Sequence, residues 1–335
     1  MSLSHEERIR RAIELKEVDR LPFGTWMHCH NIDRFPRKLA EFTVQFQKDT
    51  DVDFIKFNPY GRLSTVDWGA DFRQSQDDFE APQMTHPVLN TLADWDRIVP
   101  RHGWEGEYAV VLEAIRLTLQ DLPKDVPLVV TVFSPLTIAS WMATEPTIVE
   151  HLRTDPERVE RGLEVIMNTT IEFAEAAIRQ GASGVFMSSK MSHVGALSRE
   201  EHKKFVMKYD IEIFNRIKDK AWLNIEHIHG AKTWREDIVT NYPVPIFNWH
   251  DRDDGPSMAE ARRITPNKCF WGGISHLKTL NQEGAEEELR RQVMDTWAHN
   301  GGRGVILGPG CVMNARVPRE RLKFISRCVK ETARD

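Results

Sequence analysis

Short apolar runs rich in β-branched and aromatic residues alternate along this chain with longer segments of helical period, and that alternation calls for βαβ units and a parallel sheet. About eight such runs can be counted. They are LPFGTWMH from Leu21, DFIKFN from Asp53, PLVVTVF from Pro127, GVFMSS from Gly184, WLNIEHIH from Trp222, VPIFNWH from Val244, CFWGGIS from Cys269 and GVILGPG from Gly304. Several are apolar at successive positions, as strands are when a barrel interior lies on one face and a ring of helices on the other. The expected fold is α/β, a single (β/α)8 TIM barrel.

Helix starts support the alternation. Asp155 before Pro156 reads as an N-cap followed by proline at the first helical position, with Gly181 as the stop. Ser198 with Glu201 reads as a capping box opening a helix that reaches about Lys218. The stretch from Gly61 to Pro123 fits no simple strand-loop-helix spacing; it carries a Trp68-Gly69-Ala70-Asp71 turn and the acidic pair Asp77-Asp78, and reads as an insertion over the C-terminal mouth. No internal repeat or flexible linker divides the chain, so residues 1–335 are taken as one domain.

The formal net charge of -5 leaves no basic footprint for nucleic acid. No segment approaches the roughly 20 apolar residues that cross a bilayer, and the N-terminal residues lack a signal-peptide core, so a cytoplasmic location without membrane attachment is expected. Cys29, Cys269, Cys311 and Cys328 are too few and scattered for a disulfide framework and read as free thiols, one of them a candidate metal ligand.

In a barrel of this kind the chemistry sits where the strands end. Reading off those ends gives His28, Cys29 and His30; Asn58 and Tyr60; Ser188, Ser189 and Lys190; Glu226, His227 and His229; Asn248, His250 and Asp251; Ser275 and His276; and Cys311 in the turn Gly308-Pro309-Gly310-Cys311. Alternate side chains on a strand share a face, so His227 and His229 project together while Ile228 packs the other way. Cys311 could close the set, with the Gly-Pro-Gly turn letting the backbone approach without steric conflict. Two imidazoles and a thiolate suit zinc and leave a fourth position open. The plainer reading is a satisfied pair of core histidines and a buried small thiol.

His28, His30, Tyr60, Glu226 and Asp251 are the candidate catalytic groups, for proton transfer, anion binding or orientation of a histidine. Ser188, Lys190, Asn248, Trp249 and His276 are the candidate cofactor-binding groups. His28 and His30 could equally be satisfied polar groups under the lid, Lys190 a solvated cation, and Asp251 a loop-fixing residue. Trp26, Trp249 and Trp271 lie near enough to strand ends to line a flat apolar cavity, and Asp253-Asp254-Gly255 reads as a turn.

Taken together, RIRRAIELKEVDRLPFGTW, DVDFIKFNPY, PLVVTVFSPLTIASWM, GALSREEHKKFVMKYDIEIF, HIHG and GVILGPGCVM resemble the uroporphyrinogen decarboxylase superfamily over nearly the whole chain. The resemblance implies a (β/α)8 barrel and allows a homodimer. Its porphyrinogen decarboxylases carry an arginine-rich segment after the first strand and an aspartate after the second. Here these positions read MHCHNIDR, with Arg34 as the one basic remnant, and FNPY, with Pro59 near the place of the aspartate. Its zinc-dependent methyltransferases move a methyl group between a corrinoid protein and a thiol such as coenzyme M, and carry HxC and a later cysteine in a GPGC-like turn. His227 and Cys311 match that pattern, and His229 replaces its middle cysteine.

The resemblance therefore implies a zinc-dependent methyltransferase with a small-molecule substrate and a corrinoid carried on a partner protein. The alternatives are a decarboxylase acting on uroporphyrinogen or a smaller carboxylated substrate, and a corrinoid- or tetrapyrrole-binding protein without catalysis. A sugar- or phosphate-processing barrel has only Gly301-Gly302 to support it.

Overall fold

The computed structural model describes residues 2–75, 77 and 79–334. Asp78, half of the acidic pair noted above, and the first and last residues of the expected domain lie outside these. Seven strands form one parallel sheet in sequence order: β1 (Ile55–Phe57), β4 (Leu128–Phe133), β5 (Gly184–Ser189), β6 (Ile225–Ile228), β7 (Ile246–Trp249), β8 (Cys269–Ile274) and β9 (Val305–Pro309). The two strands between β1 and β4, β2 (Asp71–Arg73) and β3 (Gln83–His86), pair antiparallel as a separate ribbon.

The first expected strand is the exception. Leu21–His28 forms no regular strand among the described residues and makes isolated parallel bridges, Phe23 to Leu307 and Met27 to Met313. It still joins both edges of the sheet. Gly24 N donates to Leu307 O at 2.9 Å, Leu307 N to Pro22 O at 2.7 Å, and Asp53 N to Phe23 O at 2.7 Å. Pro22 has no N–H to give, and the Phe23 N–H goes to the Asp53 carboxylate instead, so a continuous ladder cannot form. Gly24 and Gly308 permit the close approach: a Cβ on Gly24 would meet the Phe54 ring at 2.4 Å, and one on Gly308 would meet Gly24 O at 2.4 Å.

Helices cover the outer face as the sequence signals require. The Asp155 side chain accepts from Arg158 N at 3.2 Å and caps the helix Pro156–Arg179, which gives way at Gly181 with φ +114°. Ser198 and Glu201 make both bonds of the capping box. The helix they open passes through a π-helical turn, Lys203–Met207, before running on to Ile217. Inside the sheet, Trp26, Phe54, Val129, Phe186, Ile225, Ile246, Cys269, Trp271 and Ile306 fill the interior. The Gly61–Pro123 stretch holds the β2–β3 ribbon, a 3-10 helix (Leu92–Arg97) and the whole helix Gly106–Asp121. Arg316, beyond β9, ion-pairs with Asp77 and fastens the ribbon connection across the mouth.

Candidate metal centre

Sheet register assembles the site. His227 on β6 lies opposite Ser188 on β5 and Asn248 on β7, and Asn248 opposite Trp271 on β8. The Asn248 amide nitrogen donates to Trp271 O at 2.7 Å and Pro309 O at 3.1 Å, which leaves its oxygen facing His227 Nδ1 at 2.5 Å. An amide oxygen accepts only, so Nδ1 carries the proton and Nε2 presents a lone pair to the mouth. That Nε2 stands 3.5 Å from Cys311 Sγ, and His229 Nδ1 stands 3.4 Å from the same sulfur.

Gly310 makes this convergence sterically feasible. A Cβ there would lie 2.7 Å from Trp249 O and 2.8 Å from His250 Cα, so only glycine lets the turn after β9 press against the end of β7 and deliver Cys311.

His250 joins the three. The donor atoms of His227, His229, His250 and Cys311 all lie within 4.8 Å of one another. His250 Nδ1 is held by Asp254 Oδ2 at 2.7 Å, and its Nε2 is buried with no hydrogen-bond partner among the described residues. The sequence reading placed His250 at a strand end without assigning it a role; its spacing from Asn248, two residues along one strand, was the available signal.

Burial decides the protonation states. Desolvation, reinforced by the neighbouring rings, holds His227 well below the ordinary imidazole value and brings His229 to about 4, so both are neutral near pH 7. His250 is pushed down by burial, against the pull of Asp254. The Cys311 thiol is pushed up to about 11 by burial, so its thiolate needs a compensating cation. Three lone-pair imidazoles, one of them with no partner for Nε2, and a thiol awaiting positive charge form a donor set that fits zinc.

Beyond the donors opens a cavity of about 540 Å3. His28, His30, Ser188, Lys190, His227, His229, His276 and Cys311 all line it, and the inserted stretch contributes Gly61, Arg62, Phe79, Ala81 and Pro82. The His28 and His30 rings stack at 5.0 Å, and each Nδ1 is buried without a hydrogen-bond partner among the described residues. His276 Nδ1 lies 2.7 Å from Asp253 Oδ2, and its ring is 4.6 Å from that of His250.

The remaining candidates stand elsewhere. Asn248 is behind His227. Asp251 accepts from Gly273 N through both carboxylate oxygens, at 3.2 and 3.1 Å, tying the loop after β7 to β8; burial pushes it up to about 7. Tyr60 packs edge-on against Phe72 with the Arg34 guanidinium 5.0 Å from its ring. Trp249 donates to Pro256 O and packs on Phe270, outside the cavity. Of the three tryptophans expected to line the cavity, Trp26 does so; Trp271 is buried inside the curled sheet, donating to Gly24 O.

Glu226 follows the parity of Ile228, away from the mouth. It is fully buried and lies near Asp210, which takes Ser189 Oγ and Tyr242 OH at 2.9 Å each. Burial and the charge of Asp210 push Glu226 well above the usual carboxylate range. Lys56 lines the cavity and was missed; the signal was a lysine at an inward position of an otherwise apolar strand. Burial lowers its amine to about 7.

The uroporphyrinogen decarboxylase (URO-D) family profile matches residues 4–332. A uroporphyrinogen decarboxylase of Geobacter sp. is 24% identical over 267 residues, 77% of this chain and 75% of its own length. A methylcobamide:CoM methyltransferase of Methanosarcina acetivorans is 21% identical over 339 residues, 97% of each chain. A solved methyltransferase from Methanosarcina mazei superposes with a TM-score of 0.84 over 98% of this chain and 99% of that one, at 17% identity. A match across nearly the entire length, over a sheet that gathers its polar groups at one end, leaves one assignment: the chain belongs to the uroporphyrinogen decarboxylase family.

Proposed function

We propose that the protein is a zinc-dependent methyltransferase of this family, moving a methyl group between a corrinoid on a partner protein, or a methoxylated substrate, and a thiol or similar acceptor. The observation that carries the reading is the convergence of His227, His229, His250 and Cys311 on one point beside the cavity. The segment Leu21–Met27 acts in this reading as the eighth stave, bringing Trp26 and His28 to the mouth.

Zinc bound there supplies Lewis acidity that lowers the pKa of a coordinated thiol or hydroxyl. The chain's own groups do the rest. Asn248 fixes the His227 tautomer, and Asp254 does the same for His250. His250, its Nδ1 held by Asp254, would serve as a fourth ligand beside His227, His229 and Cys311. Phe79 and Pro82 from the insertion form part of the cavity wall.

Decarboxylation of a porphyrinogen finds less support. Among the described residues lining the cavity there is no carboxylate to hold pyrrole N–H groups, and Arg34, the one basic remnant of the arginine segment, is paired with Glu107 outside the cavity.

The test is metal analysis of protein purified without added zinc, beside His227→Ala and Cys311→Ala, together with an assay of methyl transfer from methylcobalamin to thiols. The expected result is about one zinc per chain in the wild type, lost with activity in both variants. A metal-free wild type, or variants that keep their metal in full, would overturn the reading.

A further inference from the structure

Lys56 sits in the middle of β1 with its side chain turned into the barrel, 8% exposed, and it lines the cavity beside the metal donors. Its ammonium donates to the Asn58 amide oxygen and otherwise lies over aromatic faces, 4.5 Å from the Phe186 ring centroid and 5.5 Å from that of Trp26. Among the described residues no carboxylate acts on it, and its one charge partner is the Cys311 sulfur. An ammonium so enclosed has lost most of its water, and ring faces offset only part of that cost. The same wall carries Arg62, its guanidinium 4.5 Å from the Trp141 ring, and Lys190, with no aspartate or glutamate among the described lining residues.

Charge and shape point the same way. Phe186 lies under the Lys56 ammonium and also stacks on His227, centroids 5.4 Å apart and planes at 20°, so the cation and the metal donors are one ring-width apart. Trp26, Phe133 and Trp141 continue the aromatic wall around a space of about 540 Å3, the size of site that encloses a small flat ligand. An anion placed on Lys56 completes a hydrogen-bonding shell that the protein leaves open, and a ring attached to it meets aromatic faces on several sides.

We propose that the small-molecule partner of the reaction is a compact aromatic carboxylate, its anionic group held by Lys56 and its ring packed among Trp26, Phe186 and Trp141. This rests on the methyltransferase reading and names the substrate class for that same site. Lys56 is the residue that sets the preference for charge, and Arg62 and Lys190 add to the attraction from farther along the wall.

Calorimetric titration tests it, with 4-methoxybenzoate and its neutral isostere 4-methylanisole as probes, on protein as purified and after chelation, with metal content measured in each sample. The carboxylate is expected to bind at least tenfold more tightly than the neutral probe, before and after chelation. Lys56→Met should abolish that preference with metal content unchanged and melting temperature equal or higher, and Lys56→Gln should abolish it too should the methionine variant fail to fold. Equal binding of the two probes to the wild type would overturn the proposal, as would a Lys56 variant that keeps the preference. Carboxylate binding that vanishes on chelation would also overturn it, because the anion would then be a metal ligand. A wild type that holds no metal yet selects the carboxylate through Lys56 would sink the methyltransferase reading alone, whereas a zinc-loaded protein indifferent to charge would sink this inference alone.

Discussion

At the N-terminal end of the sheet, just before β1, Asp53 is fully buried and its surroundings are filled with donors. Arg8 donates at 2.6 Å, Arg20 at 2.8 and 3.0 Å, and Phe23 N at 2.8 Å, while His5 Nδ1 lies 2.9 Å away. Asp19 takes the other edge of the Arg8 guanidinium through two bonds. At the C-terminal end the burial is similar and the bonding is left open: among the described residues His28, His30 and His250 each bury a ring nitrogen without a hydrogen-bond partner, and no carboxylate acts on Lys56. Satisfied burial stabilises; unsatisfied burial costs stability and persists where a ligand completes it. The two ends divide the work that this architecture usually divides, stability below and chemistry above.

The sharpest way to break that comparison is a crossed pair of variants. Cys311→Ala is expected to lower methyl transfer about a thousandfold or more, since several kcal/mol of charge stabilisation leave with the metal. Measured on metal-free protein, its unfolding midpoint should stay near the wild type. Asp53→Asn should do the reverse, costing about 3–5 kcal/mol in denaturant unfolding because it leaves buried cations uncompensated, while the folded fraction keeps its activity. Equal stability losses in the two variants would mean that the ends are not divided.

A smaller effect sharpens the upper half. Asn248 touches no ligand position, yet its oxygen sets the His227 tautomer. Asn248→Leu should weaken zinc affinity by about 10- to 100-fold, read by competition with a chromophoric chelator, and change activity at saturating zinc much less. Unchanged affinity would show that His227 orients itself.

The same contrast explains what the sequence made legible. Strand parity put His227 and His229 together and put Ile228 away; applied one residue earlier it also sends Glu226 away, into the pair with Asp210. The Gly-Pro-Gly turn foretold the delivery of Cys311 because steric need is local, and Gly310 meets β7 as that need requires. His250 and Lys56 were harder. Each belongs to the site through register with neighbouring strands, and nothing within a few residues of either records which strand lies beside it. The first strand misled for a similar reason: its apolar run is intact, but the Phe23 N–H is claimed by Asp53, thirty residues away, in place of a ladder partner.

Acid should separate the two ends with the smallest signal. Burial alone would raise the Asp19 carboxyl, but hydrogen bonds from Arg8, Leu3 N and Arg20 N outweigh it and hold the group at about 2. In the unfolded chain it titrates near 3.9. A carboxylate with a depressed folded pKa contributes stability that is complete above the unfolded value and is lost as pH falls through the folded one, so this contribution fades between about pH 4 and pH 2. Asp19→Asn should therefore flatten the dependence of melting temperature on pH across that window. Metal-free Cys311→Ala should keep the wild-type slope, since the thiol it removes stays protonated throughout that window in the wild type. A flattened slope in the cysteine variant would place acid sensitivity at the upper end, and an unaltered one in Asp19→Asn would show that Asp19 carries none of it.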